Sequence, residues 1–326
     1  MPNMVPAPLT FNIPLPAHAP GSSTKYLDLS QVASILNRRF YRQGLQWAVQ
    51  GFTLHTFASG GVMDISRIPS TWTAANGWKK SMEAWNKQQM EAIEEAGAES
   101  AVAAFRDFKI FADPLHVSNG FADNLMPGVK DPSALAPGWQ IATPGQWEPS
   151  QIVVPNILPD ASGSQVDPVE YFLHMAGVNN NTGISRGIIE GYADSRAFPQ
   201  SPDPVAPAIG SSQNWLRQMF DVGNDNVEVT QNATERNNQL PYRQVEYPGG
   251  EVQLPGLDFH DTINITSTTV GGKSTAKGGI FPCGLMKLKY SPSLGQDESG
   301  NYLSVLQIHL VPGSERGYMT EPMQEM

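Results

Sequence analysis

The sequence predicts an all-β fold, a β-sandwich of the jelly-roll type, with one inserted amphipathic helix and long loops. Three observations carry that prediction. Segments of alternating polarity recur between glycine and proline punctuation, most plainly in the last third of the chain. Roughly eight such strand candidates can be counted. The connections between them are of very unequal length, as in a jelly roll, where eight antiparallel strands in two packed sheets hide most edges while loops grow at the ends. A double jelly roll needs about twice the strands, and 326 residues with this much loop leave little room for it.

Taken in order, residues 1–30 read as a proline-rich N-terminal arm, with prolines at 2, 6, 8, 14, 16 and 20. Residues 31–326 read as a single domain with long insertions, because no repeat and no sharp change of composition divides them. A long strand is expected over 45–57, anchored by Trp47, Val49, Phe52 and Leu54. The helix is expected over 73–96, where Trp78, Met82, Trp85, Ile93 and Ala96 follow helical spacing and Lys79, Glu83, Lys87 and Glu91 decorate the other faces. Gly97 is placed to end it. A strand over 105–112 leads into the turn Asp113-Pro114 and a loop over 113–150, long enough to be a functional or assembly element. Further strands are expected at 151–154, 171–175 and 184–196. A second proline-rich break at 198–204 then precedes a short helix at 214–220. In 258–270, Ile263 and Ile265 share one face while Thr262 and Asn264 take the other. Met286, Leu288 and Tyr290 alternate with Lys287 and Lys289, and 302–311 is apolar on both faces, as a central strand requires. A polar tail follows over 311–318.

Charge limits the partners. With 21 basic and 31 acidic residues the net charge is −10, and the chain lacks the basic stripe typical of proteins that coat nucleic acid. Its densest basic site is Asn37-Arg38-Arg39-Phe40-Tyr41-Arg42. Arginines interleaved with aromatics meet single-stranded nucleic acid by charge and stacking, so Arg38, Arg39 and Arg42 are the candidate nucleic-acid contacts; an arginine-bearing edge with ordinary surface contacts is the other reading. The lone Cys283 excludes an intrachain disulfide and reads as a buried structural thiol in a strand-like run. Signal-peptide and membrane-span patterns are both lacking, so no membrane partner is expected.

Catalytic signatures are equally sparse. No nucleophile elbow and no phosphate-cradling glycine loop is present, and neither a cofactor nor a metal is expected. His260 with Asp258 and Asp261 is the only local group with metal-ligand chemistry, and strand alternation turns Asp261 away from the other two. Glu190 and Asp194 would share one face of a strand, the arrangement a glycosidase on a β-scaffold would use.

Several stretches point further. Ile68-Pro69-Ser70-Thr71-Trp72 leading into the tryptophan-bearing helix, Asp107-Phe108-Lys109-Ile110-Phe111, Glu190-Gly191-Tyr192-Ala193-Asp194-Ser195-Arg196 and Val311-Pro312-Gly313-Ser314-Glu315-Arg316-Gly317-Tyr318 resemble segments of capsid proteins of small circular single-stranded DNA viruses, known mainly from environmental and marine sequences. The similarity runs over most of the chain from about residue 60 onward. It implies a non-enzymatic jelly-roll subunit of the virion, which self-assembles in many copies into an icosahedral shell enclosing a single-stranded DNA genome. Loops 113–150 and 198–250 would supply contacts between subunits or the outer surface, and the arm and tail would tie neighbours together. Related capsid proteins carry an Arg/Lys-rich N-terminal arm, whereas here no basic residue precedes Lys25. Packaging would then fall to Arg38, Arg39 and Arg42, to counterions or to another component. Two further readings remain: a carbohydrate- or receptor-binding β-sandwich that stacks sugars on Trp139, Trp147 and Tyr242, and the glycosidase.

Overall fold

Period-two stretches of the sequence become the strands of two antiparallel sheets in the computed structural model. It describes residues 6–17, 24–98, 100, 102–103, 105–130, 138–154, 169–179, 184–197, 227–228 and 256–325. The elements in chain order are β1 (Thr10–Pro14), β2 (Thr24–Asp28), α1 (Leu29–Asn37), β3 (Leu45–Thr56), β4 (Gly61–Arg67), α2 (Trp72–Glu95), α3 (Pro114–Asn119), β5 (Gly128–Lys130) and β6 (Trp139–Ile141). They continue as β7 (Gln151–Val154), β8 (Val169–His174), β9 (Ser185–Gly187), α4 (Ile188–Ala197), β10 (Asp258–Ile265), β11 (Lys273–Phe281), β12 (Leu285–Tyr290), β13 (Ser304–Leu310), β14 (Pro312–Gly313), β15 (Gly317–Tyr318) and β16 (Thr320–Pro322).

Eight of these strands pair as a nest. β4 pairs with β10, β3 with β11, β2 with β12 and β1 with β13, all antiparallel, with Ile65 opposite Asp261, Trp47 opposite Phe281, Asp28 opposite Leu285 and Phe11 opposite Ile308. The chain therefore runs as one long hairpin whose tip is residues 68–257. Successive pairs go alternately to the two sheets, and β13 beside β3 and β12 beside β4 complete them. The resulting orders are β1-β13-β3-β11 and β10-β4-β12-β2. β16 extends the line of β13 along residues 45–47 of β3.

One apolar core fills the space between these sheets. Phe11, Ile13, Trp47, Phe52, Leu54, Leu306 and Ile308 face Leu27, Met63, Ile65, Ile263, Met286 and Leu288 within it. Burying each such side chain contributes about 1.5–3 kcal/mol. β13 lies between two neighbours and is buried along most of its length, as its two-sided apolar pattern requires.

A second core sits in the segment between β4 and β10. There Trp78 and Trp85 of α2 pack with Phe108, Ile110, Leu173 and Ile188, joined by Tyr26, Cys283, Leu285 and Met323 from the sandwich side. Thr71 caps α2 by accepting from the backbone N–H of Ala74, and Gly97 follows its end with φ +63°. Gly77 lets α4 approach α2, because a Cβ there would lie 3.1 Å from Cγ2 of Ile188.

Five expectations need correction. Residues 1–30 are no separate arm, since β1 and β2 fall within them; Pro14 ends an edge strand, where proline is tolerated. The stretch 105–112 forms no strand: it leaves a turn at Phe105 and makes only an isolated bridge from Phe111 to His174. Residues 184–196 divide into short β9 and helix α4, because Ile188 and Ile189 pack on a helical face against the second core. Cys283 is buried as expected, but in a tight turn with φ +54° between β11 and β12. The 311–318 tail folds back on its own chain, burying Tyr318, whose hydroxyl donates to the carbonyl of Pro8 and accepts from Asn37 Nδ2. The proline-rich break at 198–204, the helix at 214–220 and Tyr242 lie outside the described residues. Among the described residues no helix is long and apolar enough to cross a membrane.

Candidate functional site

The arginine run lies where α1 gives way to β3. Asp28 starts α1, its carboxylate accepting from the N–H groups of Ser30 and Gln31 at 2.8 and 3.3 Å. Asn37 closes the last turn by donating to the carbonyl of Ala33, and Arg38 then turns left-handed at φ 52°. After that reversal the side chains sort by polarity. Tyr41 enters the core, Phe40 is half-buried, and Arg38, Arg39 and Arg42 point outward.

All three arginines line one open cleft of about 730 Å³. Phe105 and Arg316 complete it, and the sequence reading missed both. Arg316 comes from the C-terminal tail, where it donates to the carbonyl of Phe40 and lies 3.9 Å from Glu315. Phe105 is 70% exposed, with its ring 5.4 Å from that of Phe40. Arg42 donates to the carbonyl of Arg106 at 2.9 Å and lies 3.4 Å from Asp107. Neither Arg38 nor Arg39 has an ion pair or side-chain hydrogen bond among the described residues. No local pattern joins residues 38, 105 and 316; only the folded chain does.

Beneath the cleft lies a buried polar layer. Gln43 donates to Asp28 at 2.9 Å and accepts from the N–H of Ile110 at 2.6 Å, linking the sandwich to the inserted segment. Trp147 donates its indole N–H to the same Asp28 carboxylate at 3.1 Å. Burial pushes the Asp28 carboxyl up to about 6, against four donors that pull it down. Burial likewise raises the Asp107 carboxyl and lowers the Lys109 ammonium, which sits 5.1 Å from the centre of the Trp147 ring. Asp28 had a readable signal, since Leu29, Val32, Ala33 and Leu36 follow it at helical spacing.

The other candidates are accounted for structurally. Glu190 accepts from the N–H of Asn179, whose side chain in turn accepts from the N–H of Gly187 at 2.8 Å. It stands on a helix, so the expected carboxylate pair on a strand face does not form; the Asp194 side chain lies outside the described residues. Trp147 is half-buried with its N–H turned inward, which corrects its role as an exposed sugar platform, whereas Trp139 lies half-exposed on β6. His260 pairs with the carbonyl of Lys277 at 2.9 Å, and a register shift between Phe259 and Asp261 turns it inward. Asp261 accepts from the N–H groups of Thr262 and Lys277. No cluster of three metal-ligating side chains occurs among the described residues.

The cleft thus sets four arginines and Glu315 beside an exposed aromatic face, an arrangement that can receive carboxylate or phosphate groups. Compared with known proteins, the chain matches no protein-family model, no curated protein and no solved structure.

Proposed function

We propose that this chain is a viral capsid subunit built on a single jelly roll, many copies of which assemble into a closed icosahedral shell around a genome. The observation that carries the reading is the nest of four antiparallel pairs, β4 with β10 inside, then β3 with β11, β2 with β12 and β1 with β13. A long hairpin rolled so that its pairs alternate between two facing sheets is the jelly-roll topology. Fold alone does not fix function, and the resemblance of four segments to capsid proteins supplies the class.

The architecture suits a shell. Two sheets packed on one apolar core make a rigid unit, and a long connection, residues 68–257, joins β4 to β10. Closed symmetric assembly would cover what stays open of the outer strands β1, β11, β10 and β2; the Tyr26 carbonyl of β2 already accepts from the N–H of Leu125, and Lys277 of β11 is held by His260 and Asp261. The sugar-binding and glycosidase readings lose support because Trp147 and Glu190 are both engaged within the fold.

Light scattering with negative-stain microscopy on the purified protein, at moderate salt and without nucleic acid, tests the proposal. Uniform shells are the expected result. A monomer or dimer that stays small as pH, ionic strength and added single-stranded DNA are varied would overturn it.

A further inference from the structure

We infer that the surface around Phe105 pairs two copies of this chain about a two-fold axis, the acidic end of α2 in one copy resting on the arginine cleft of the other. This contact rests on self-association, which the capsid reading also requires, but not on a closed shell.

The surface has three adjoining parts. At its centre is Phe105, 70% exposed; Met90, at 42%, has its sulfur 3.9 Å from the guanidinium of the neighbouring Arg106, and Val102, at 39%, precedes Phe105 in the chain. Arg106 joins them, with its guanidinium over the Trp85 ring at 4.4 Å and hydrogen bonds to Gln89 and Asn86 at 2.7 and 2.9 Å. On one side lies the cleft, where four arginines face a single glutamate, Glu315, and Arg38 and Arg39 have no ion pair among the described residues. On the other, α2 runs past its last buried residue, Trp85, to an end that carries exposed Glu91, Glu94 and Glu95.

The carbonyls of Ala92, Ile93 and Glu94 at that helix end accept from the N–H groups of Ala96, Ala98 and Gly97, but its charge has no balancing cation in the last turn. Aligned peptide dipoles give a helix C-terminus partial negative charge, which basic residues ordinarily balance. The last turn of α2 has no basic residue and instead holds Glu94 and Glu95. Glu91 has only an exposed pair with Lys87 at 3.7 Å, worth a few tenths of a kcal/mol. Cations from another molecule would relieve this end, and across the same surface stand Arg38 and Arg39, which have no ion pair among the described residues.

A patch with an apolar centre, one acidic side and one basic side is complementary to itself after a half-turn. This is the isologous arrangement, in which each unlike contact is made twice and the apolar centres meet at the axis. Such a contact gives copies with a net charge of −10 each a local attraction that overcomes their general repulsion. A nucleic-acid strand in the cleft would use the arginines but run beside three glutamates and leave Met90 and Val102 uncovered.

Charge reversal on each side, followed by the swap, tests the contact by sedimentation velocity across protein concentration and salt, with circular dichroism on every variant. E94R/E95R and R38E/R39E are each expected to raise the dimer dissociation constant about tenfold or more, and the four-fold variant to restore it to within about threefold. F105D should also weaken pairing while preserving the fold. Wild-type-like pairing in E94R/E95R, or failure of the swap to restore pairing, overturns the inference. So does a wild type that stays monomeric at every concentration. A fluorescent oligothymidylate that binds the wild type and releases from R38E/R39E, with pairing unchanged, assigns the cleft to nucleic acid instead. Dimers that obey the swap without forming shells would retain this contact and discard the capsid reading; shells unaffected by E94R/E95R would do the reverse.

Discussion

The rolled sandwich and the segment inserted at its tip are held by different forces. In the sandwich, apolar faces of two sheets meet and backbone ladders satisfy most polar groups. Where the insertion meets the sandwich, buried polar side chains add to the apolar contacts of Cys283, Leu285 and Met323. Asp113 caps α3 and accepts from the Tyr26 hydroxyl at 2.6 Å and from Lys287 Nζ at 2.7 Å. His116 stacks on Tyr26 at 4.2 Å, accepts from the N–H of Ala112 at Nδ1 and meets Asn124 at Nε2, whose amide donates to Gln31. Apolar packing tolerates approximation, whereas each of these groups must find its partner or remain buried without one. The seam is therefore the more specific joint and the more brittle one.

Truncating Phe52, 1% exposed at the centre of the sandwich, should have the largest effect. Phe52→Ala is expected to cost about 3–5 kcal/mol and to lower the whole unfolding transition in denaturant. Asp113→Ala should cost about 2–3 kcal/mol by leaving Tyr26, Lys287 and the His116 N–H without an acceptor. Hydrogen exchange should then increase across α3 and residues 121–126 while β3 and β13 stay protected. Equal loss of protection in both regions would mean that the seam and the sandwich unfold as one unit.

Acidity sharpens the same contrast through two buried groups of opposite sign. The Asp28 carboxyl is raised to about 6, so its contribution is full below the unfolded value near 3.8 and is lost as pH rises through about 6. The His116 imidazole is lowered by burial to about 4, so its contribution is full above 6.5 and is lost as pH falls through about 4. Between those limits the slopes of these two groups oppose each other. Asp28→Asn should cost about 2 kcal/mol, because its amide faces the donors of Gln43 and Trp147. It should also expose the His116 slope, with stability rising from pH 4 to 6.5 in urea titrations. The smallest effect belongs to Glu190→Gln, which keeps an oxygen for the Asn179 N–H and should change stability by less than about 1 kcal/mol.

The sequence was most legible where one period ruled a long stretch. β3, α2, β10, β12 and β13 follow their expected stretches closely, since alternation or helical spacing over many residues leaves few choices. β1 was hidden by the prolines on either side of Phe11 and Ile13. The Ile188-Ile189 run suits a strand or a helix equally, and its packing against α2 decides for the helix. At the cleft, Arg38, Arg39 and Arg42 stand together in sequence and could be singled out. Arg316, Phe105 and Trp147 reach the same place only through the roll of the chain, which no local pattern records.

That roll also dictates an order of events during synthesis. β1 pairs with β13, so a strand made near the beginning waits for residues 304–310, and β4 waits for β10 across the whole of 68–257. Closing a long loop adds little to the thermodynamic cost, since each doubling of its length adds about 0.6 kcal/mol. Its burden is temporal. A growing chain carries four strands with unsatisfied edges while the insertion is still emerging from the ribosome, and the sandwich closes only after residues 304–310 have been made. Chaperone dependence and the yield of recombinant protein should follow from this late closure more than from the stability of the finished fold.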